Sequence, residues 1–191
     1  MSGNGPGPRP TLWRTCRALA NETRLKAFRW LLRNPDQTVS RVASKLGLSR
    51  SMATRHLRIL AARGLLRASR IGPWVCYRVE PDPTIPEARR LVAALRDAFS
   101  EDPHAVEGIY RLATAFTNAR RQAVYEELRK GDRTFADLVR GTRMSPRALG
   151  RHLAKLQSRG FVVAGEGLYR AAAPPGRVAR ILAELAPGSA R

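Results

Sequence analysis

The chain has 191 residues, a length typical of one or two small domains. Hydrophobic residues make up 43% of it and charged residues 26%, which excludes a disordered tail or a collagen-like rod. Thirty-five Lys and Arg residues outnumber 15 Asp and Glu residues, so the net charge is +20 and we expect a polyanion as partner.

Neither membrane insertion nor secretion is expected. The longest apolar runs are too short to span a bilayer, and residues 1–10 predict a flexible N-terminus without the apolar segment of a signal peptide. The two cysteines, Cys16 and Cys76, are too few for a disulfide framework. We therefore expect the protein in a reducing cytoplasm, associated with the nucleoid.

Apolar periodicity, capping residues and turn signals divide the first half of the chain into helices and a hairpin. Asn21 and Ser49 are candidate N-caps, Gly47 ends a helix, and Gly72 with Pro73 forms the hairpin turn. In chain order, the predicted helices span residues 11–19, 21–33, 39–46, 49–64 and 86–99, and the predicted strands span 65–69 and 74–79.

The second half repeats this order of elements. Its predicted helices span residues 104–116, 119–130, 135–140, 146–159 and 176–185, and its predicted strands span 161–163 and 168–170.

The two halves are also similar in sequence. With a shift of 96 residues, seven of the 18 positions in 49–66 are identical to their counterparts in 145–162. Such self-similarity at a fixed spacing indicates a duplicated unit. We predict two domains, 11–102 and 103–187, followed by a tail at 188–191.

A helix, a tight turn, a second helix and a two-stranded hairpin form the winged helix-turn-helix arrangement. Residues 18–28, 49–57 and 72–78 resemble the ArsR-type winged-helix transcriptional regulators, with Pro73 as a departure in the wing turn. The second unit resembles them more loosely. The resemblance implies a mainly α fold with small β-hairpin wings, two tandem winged helix-turn-helix domains, and the function of a transcriptional repressor.

The helix predicted to begin at Ser49 carries the residues that we expect to contact DNA bases. Its apolar stripe must pack on the core, which leaves short polar and Arg side chains outside, where a helix in the major groove reaches base edges. Residues 37–79 hold nine Lys and Arg residues and no Asp or Glu, the electrostatic pattern of a double-stranded DNA-binding face. The predicted base contacts are Arg50, Ser51, Thr54, Arg55 and Arg58.

Other residues are predicted to contact the DNA backbone. Ser49 at the helix cap offers its hydroxyl or backbone N–H to a phosphate, and Arg67 and Arg70 lie on the wing. In the second unit Arg147 and Arg151 keep the surface positive, and there we expect contacts with phosphates only.

The second unit is expected to read little sequence. Pro146, Gly150 and Ala154 stand at the positions of three predicted base contacts of the first unit, so those functional groups are missing. Glu166 lies at the predicted wing tip, where it would face phosphate oxygens.

Four ring side chains have a structural interpretation. Trp74 and Tyr77 are expected to pack the wing on the helices. His56 and His152 recur at equivalent positions, which is typical of hydrogen-bonded packing residues rather than of ligands.

No cofactor, metal or catalytic site is expected. The helix before the reading helix has no cysteine, and Asp97, Glu101 and His104 are a thin set of ligands for zinc. No motif for nucleotide binding or hydrolysis is present, so the chain is not expected to be an enzyme.

Two alternatives to a transcriptional regulator remain open. Paired winged helices also occur in DNA-bound replication or partition proteins, and as scaffolds in chromosome-organising complexes, although the charge disfavours a scaffold. The first and last helices of each unit have apolar faces that need a partner. We expect the units to touch within one chain, either as an intrachain pseudo-dimer or, slightly favoured, with further homodimerisation.

Overall fold

The computed structural model describes residues 12–185, so the predicted segment 1–10 and the tail 188–191 lie outside the described residues. The observed elements of the first unit follow the predicted order, and most bounds differ from the prediction by one or two residues. They are α1 (Leu12–Leu19), α2 (Glu22–Arg33), β1 (Gln37–Thr38), α3 (Val39–Leu46), α4 (Arg50–Ala61), β2 (Arg67–Ile71), β3 (Trp74–Arg78) and α5 (Pro86–Glu101).

The second unit has the same order of elements. The helix predicted at 104–116 is divided into an α-helix and a short 3₁₀ turn. The elements are α6 (Ala105–Ala113), the 3₁₀ turn (Thr114–Phe116), α7 (Ala119–Arg129), β4 (Arg133–Thr134), α8 (Phe135–Thr142), α9 (Pro146–Gln157), β5 (Val162–Gly165), β6 (Leu168–Ala171) and α10 (Arg177–Glu184).

Each wing belongs to a three-stranded antiparallel sheet, of order β1-β3-β2 in the first unit and β4-β6-β5 in the second. The sequence predicts the two hairpin strands but not β1 and β4, because strands of two residues carry no periodic pattern. The prediction of a strand from Leu65 is also shifted. Leu65 and Leu66 are buried in the core, and β2 begins only at Arg67.

Equivalent side chains cap equivalent helices in the two units. Asn21 and Asn118 accept hydrogen bonds from the backbone N–H three residues later, at 2.9 and 3.1 Å. Ser49 and Ser145 do the same at 3.2 and 3.4 Å. These caps satisfy N–H groups that a helix leaves without an internal partner, which explains why they recur in the repeat.

A repeated arginine holds the end of the helix that precedes it. Arg24 donates from Nε to the carbonyl oxygen of Ala18 at 2.5 Å. Arg121 donates in the same way to Ala115, and also to the carbonyl oxygen of Thr114 at 2.9 Å. Both arginines therefore stabilise the fold, which accounts for their place in the repeated sequence.

The two units pack on each other through equivalent helices. α1 contacts α6 and the 3₁₀ turn, while α5 contacts α10, and one continuous apolar core runs through both units. Ion pairs between Arg90 and Glu184 and between Arg177 and Asp97 join α5 to α10. Contacts between like elements are the mark of a two-fold interface. The expectation that the repeats touch within one chain is confirmed.

None of the helices in the described part of the chain is both long and apolar enough to cross a lipid bilayer.

Candidate nucleic-acid interface

α4 presents two different faces, as its sequence predicts. Ala53, Leu57 and Leu60 are buried with at most 1% of their surface exposed, and they fix the helix on the core. On the other side Arg55 and Arg58 are exposed. The remaining predicted base-contacting side chains are Arg50 and Ser51, which are exposed, and Thr54, which is half-buried.

The arginines of this outer face are available to a ligand. The guanidinium groups of Arg50, Arg55 and Arg58 make no hydrogen bond or ion pair within residues 12–185. The Thr54 hydroxyl donates to the carbonyl oxygen of Arg50 at 2.8 Å, which leaves its oxygen lone pairs free as acceptors. The Ser51 and Ser49 hydroxyls lie 3.0 Å apart and form one polar group at the helix start.

An open groove follows the outer face of α4. It has a volume of about 560 Å³. Its lining residues are Ser51, Thr54, Arg55, Arg58, Ile59, Ala62 and Arg63. Three arginines along a groove with no carboxylate in its lining give a strongly positive surface, which favours a polyanion.

The two arginines predicted on the wing differ in their surroundings. Arg67 lies at the base of the wing, where it is ion-paired with Glu80, and hydrogen bonds from this arginine hold the pKa of the Glu80 carboxyl below its usual range. Arg78 binds the same carboxylate at 2.6 Å. Arg70, nearer the tip, is exposed and has no hydrogen-bond or ion-pair partner within the described chain. Of the two, Arg70 is the freer cation.

The prediction that both aromatic residues of the wing pack on the helices is confirmed for Tyr77 and wrong for Trp74. Tyr77 is 5% exposed, whereas Trp74 is 54% exposed. β3 extends beyond the body of the domain, so the residues of this strand nearest the turn have no helix to pack against. Ile71 and Val75, which lie beside Trp74 at the tip, are also exposed.

His56 is buried at the inner edge of α4, but the expected hydrogen bond at Nδ1 is not formed within the described residues. Burial lowers the pKa of His56, and the positive charges of Arg24 and Arg55 lower it further. Its counterpart His152 is half-buried, and burial and nearby arginines likewise lower its pKa. Both are therefore packing residues that favour the neutral form.

α9 has fewer polar groups on its outer face than α4. Arg147 and Arg151 are exposed and make no hydrogen bond or ion pair with a described side chain. Pro146 begins the helix, and a Cβ added at Gly150 would meet no atom within 4 Å, so this part of the surface is open. Glu166 occupies the turn of the second wing with a positive φ of 53°. The surface of the second unit thus has arginines suited to phosphates but few groups that reach bases.

Other chemical groups do not form a site. Within residues 12–185 there is no cluster of three or more His, Cys, Asp or Glu side chains that could hold a metal ion. Asp97, one of the three residues considered above as zinc ligands, is ion-paired with Arg177. Cys16 and Cys76 are both buried thiols, and burial raises the pKa of Cys16.

Comparisons with known proteins agree with this architecture. Residues 20–71 match the MarR family, and residues 119–163 match the family described as bacterial regulatory protein, arsR family. The chain is also similar to the uncharacterized HTH-type transcriptional regulator YbzH of Bacillus subtilis (strain 168). The two are 34% identical over 77 residues, which cover 32% of this chain and 76% of that relative.

The chain therefore belongs to the winged helix-turn-helix transcriptional regulators. It carries two helix-turn-helix units and is a DNA-binding regulator, a class that is ordinarily without enzymatic activity. The expectation that the first unit is the closer of the two to the ArsR type is not confirmed, because the arsR match falls on the second unit and the first unit matches MarR.

Proposed function

We propose that the protein is a sequence-specific repressor of the ArsR type that binds double-stranded DNA on the nucleoid. The observation that carries the proposal is the basic surface along α4, where Arg55 and Arg58, together with Arg63 just after the helix, line one groove without a hydrogen-bond or ion-pair partner in the described chain. A solvent-exposed helix face normally mixes charges of both signs. A face of one sign on a helix-turn-helix favours a polyanionic duplex as ligand.

In this proposal α4 lies in the major groove of the operator. Arg50, Arg55 and Arg58 have the planar donor pairs that bind the O6 and N7 atoms of guanine. Ser51 and Thr54 contribute short polar groups that accept or donate to base edges. Because the buried stripe fixes α4 on the core, the backbone holds these side chains at fixed positions along one face of the helix.

The wing and the helix cap supply phosphate contacts. Ser49 begins α4, and Arg70 extends from the exposed part of the hairpin. Arg67 is ion-paired with Glu80, so it can bind a phosphate only by giving up this carboxylate. Its phosphate contact should therefore contribute less to DNA affinity than that of Arg70. Arg147 and Arg151 hold the DNA backbone from the second unit.

We propose further that one chain is the complete DNA-binding unit. The helices that the sequence offers for association are already paired, α1 with α6 and α5 with α10, so their apolar faces no longer favour a further homodimer. An intrachain pair with two unlike reading helices suits an operator without dyad symmetry.

The decisive experiment is protection of the promoter of the protein's own gene, followed by Arg55→Ala and the matched Arg151→Ala. Arg55→Ala should cost about 1–3 kcal/mol on the protected sequence and little on random DNA. Arg151→Ala should weaken both DNAs alike and lower the salt slope by about one unit for the lost phosphate contact.

Equal losses on protected and random DNA for both variants would refute the assignment of α4 as the reading helix. Protection confined to repeated sites at a replication origin would instead favour a replication or partition protein. A reporter fused to the protected promoter tests repression, since expression should rise when the gene for this protein is deleted.

A further inference from the structure

The tip of the first wing is apolar, although the unit that carries it is strongly basic. Among the described residues, five large hydrophobic side chains are exposed, and three of them, Ile71, Trp74 and Val75, are at this tip. Single exposed apolar residues are common on protein surfaces, but a cluster that contains a tryptophan marks a contact surface.

The backbone of the tip brings two of these side chains together. Ile71 and Trp74 are direct cross-strand partners on either side of the turn, so their side chains lie on the same face of the hairpin. Gly72 adopts a φ of 59°, and Pro73 follows it with a ring that restricts its own φ.

The surroundings of the tip point to DNA as the occupant. Arg70 pairs with Val75 in the next register position, on the opposite face of the hairpin, and it has no partner in the described chain. Residues 37–79 contain no acidic side chain. An apolar pair next to a free cation fits a groove with anionic walls and apolar base and sugar faces.

We propose that Ile71 and Trp74 form an apolar wedge that enters the minor groove beside the site of α4 and stacks against a base step. This inference rests on the proposed function, because it requires that the first unit dock on duplex DNA. Proteins that insert such wedges partly unstack a base step and bend the duplex, which brings more protein surface into contact. The wedge therefore adds indirect readout, a preference for a flexible step at a position that α4 does not touch.

The second wing has no equivalent pair of large apolar side chains at its tip. The residues that flank its turn are Gly165 and Leu168, and Glu166 stands in the turn itself. A carboxylate at the tip opposes entry between two phosphate chains. The wedge is thus a property of the first unit alone, and DNA should be bent at one end of the site.

The test compares Trp74→Ala with Trp74→Phe on a duplex selected by the wild-type protein from a random-sequence pool. Loss of one stacked aromatic should weaken binding about 5- to 150-fold for Trp74→Ala. Trp74→Phe keeps a ring and should retain most of the affinity. Val163→Ala is the matched control, because Val163 is exposed to 55% on the second wing and should leave affinity unchanged.

Two further measurements distinguish an inserted wedge from a contact at the surface of the duplex. DNA should quench the tryptophan emission of the wild-type protein, and Trp74→Phe should abolish that quenching. End-to-end energy transfer on a doubly labelled duplex should show a smaller bend with Trp74→Ala. Circular dichroism verifies the fold of each variant, which we expect to be retained because more than half of the Trp74 surface is exposed.

Wild-type affinity and bending in Trp74→Ala would overturn the wedge and leave the proposed function intact. Loss of affinity that accompanies a fall in molecular mass by light scattering would also overturn it, because the tip would then join two copies of the chain. If the wild-type protein enriches no duplex, the proposed function itself fails, and the wedge fails with it.

Discussion

Replacement of Gly64 by alanine should reveal how closely the end of α4 is packed against the loop before α5. Gly64 follows α4 with a left-handed φ of 69°. A Cβ at this position would lie 2.9 Å from Ile85 Cδ1, 3.0 Å from Asp82 Cβ and 3.1 Å from Ala88 Cβ. Two of these atoms are β-carbons, which move only with the backbone.

Two effects determine how much Gly64→Ala lowers the free energy of unfolding. The left-handed conformation costs a residue with a Cβ about 1–2 kcal/mol, and reduced freedom of the unfolded chain offsets about 0.4–1 kcal/mol of this. Overpacking against the three contacts adds about 1–3 kcal/mol. We therefore expect Gly64→Ala to lower the free energy of unfolding by about 1–5 kcal/mol.

Gly47→Ala is the matched control, because Gly47 has a φ of 64° but a Cβ there would meet nothing within 4 Å. It should cost about 1 kcal/mol or less. Gly160→Ala, with Pro174 Cβ at 3.3 Å, should fall between the two. Urea denaturation followed by circular dichroism measures all three variants. The reasoning is refuted if Gly64→Ala loses no more stability than Gly47→Ala.

Three other predictions concern stability and assembly. Arg143 occupies the left-handed position that Gly47 holds in the first unit, with a φ of 53°, so Arg143→Gly should raise stability by about 0.5–1 kcal/mol in the same urea assay. Burial lowers the pKa of His56 below its usual 6.5, so the unfolded chain binds a proton at this residue more readily than the folded protein does. The free energy of unfolding should therefore be highest above pH 6.5 and should fall as the pH is lowered through and below that value. His56→Gln should reduce this loss, and an unchanged pH profile would contradict the inference. Light scattering at micromolar concentration should give a mass near the 21.2 kDa of one chain, whereas twice that mass would favour the homodimer.

Local signals predict much of this fold. Asn21 and Ser49 begin helices where their capping side chains indicate, and Gly47 ends α3 in the left-handed conformation expected of a terminal glycine. Such features depend on residues three or four positions apart. The repeat then allows the same interpretation for the second unit.

Features that depend on tertiary contacts could not be predicted in this way. The ion pair of Arg67 with Glu80 joins residues 13 positions apart, and it becomes visible only when the strand register is known. Burial is expected for Trp74 because aromatic residues are usually buried, but its exposure depends on how far the hairpin extends beyond the helices. The strands β1 and β4 exist only because β3 and β6 lie beside them.

The pairing of α5 with α10 inside one chain also changes how occupancy responds to the amount of protein. A regulator that must dimerise before binding loses occupancy roughly as the square of its concentration when it is scarce. Here the second unit is present at the high effective concentration set by a short covalent connection, whatever the number of molecules in the cell. With one chain as the complete DNA-binding unit, as proposed above, occupancy of the operator should follow a simple hyperbola in total protein. Few copies would then suffice to occupy the operator, and the change in occupancy on dilution at cell division would be gradual.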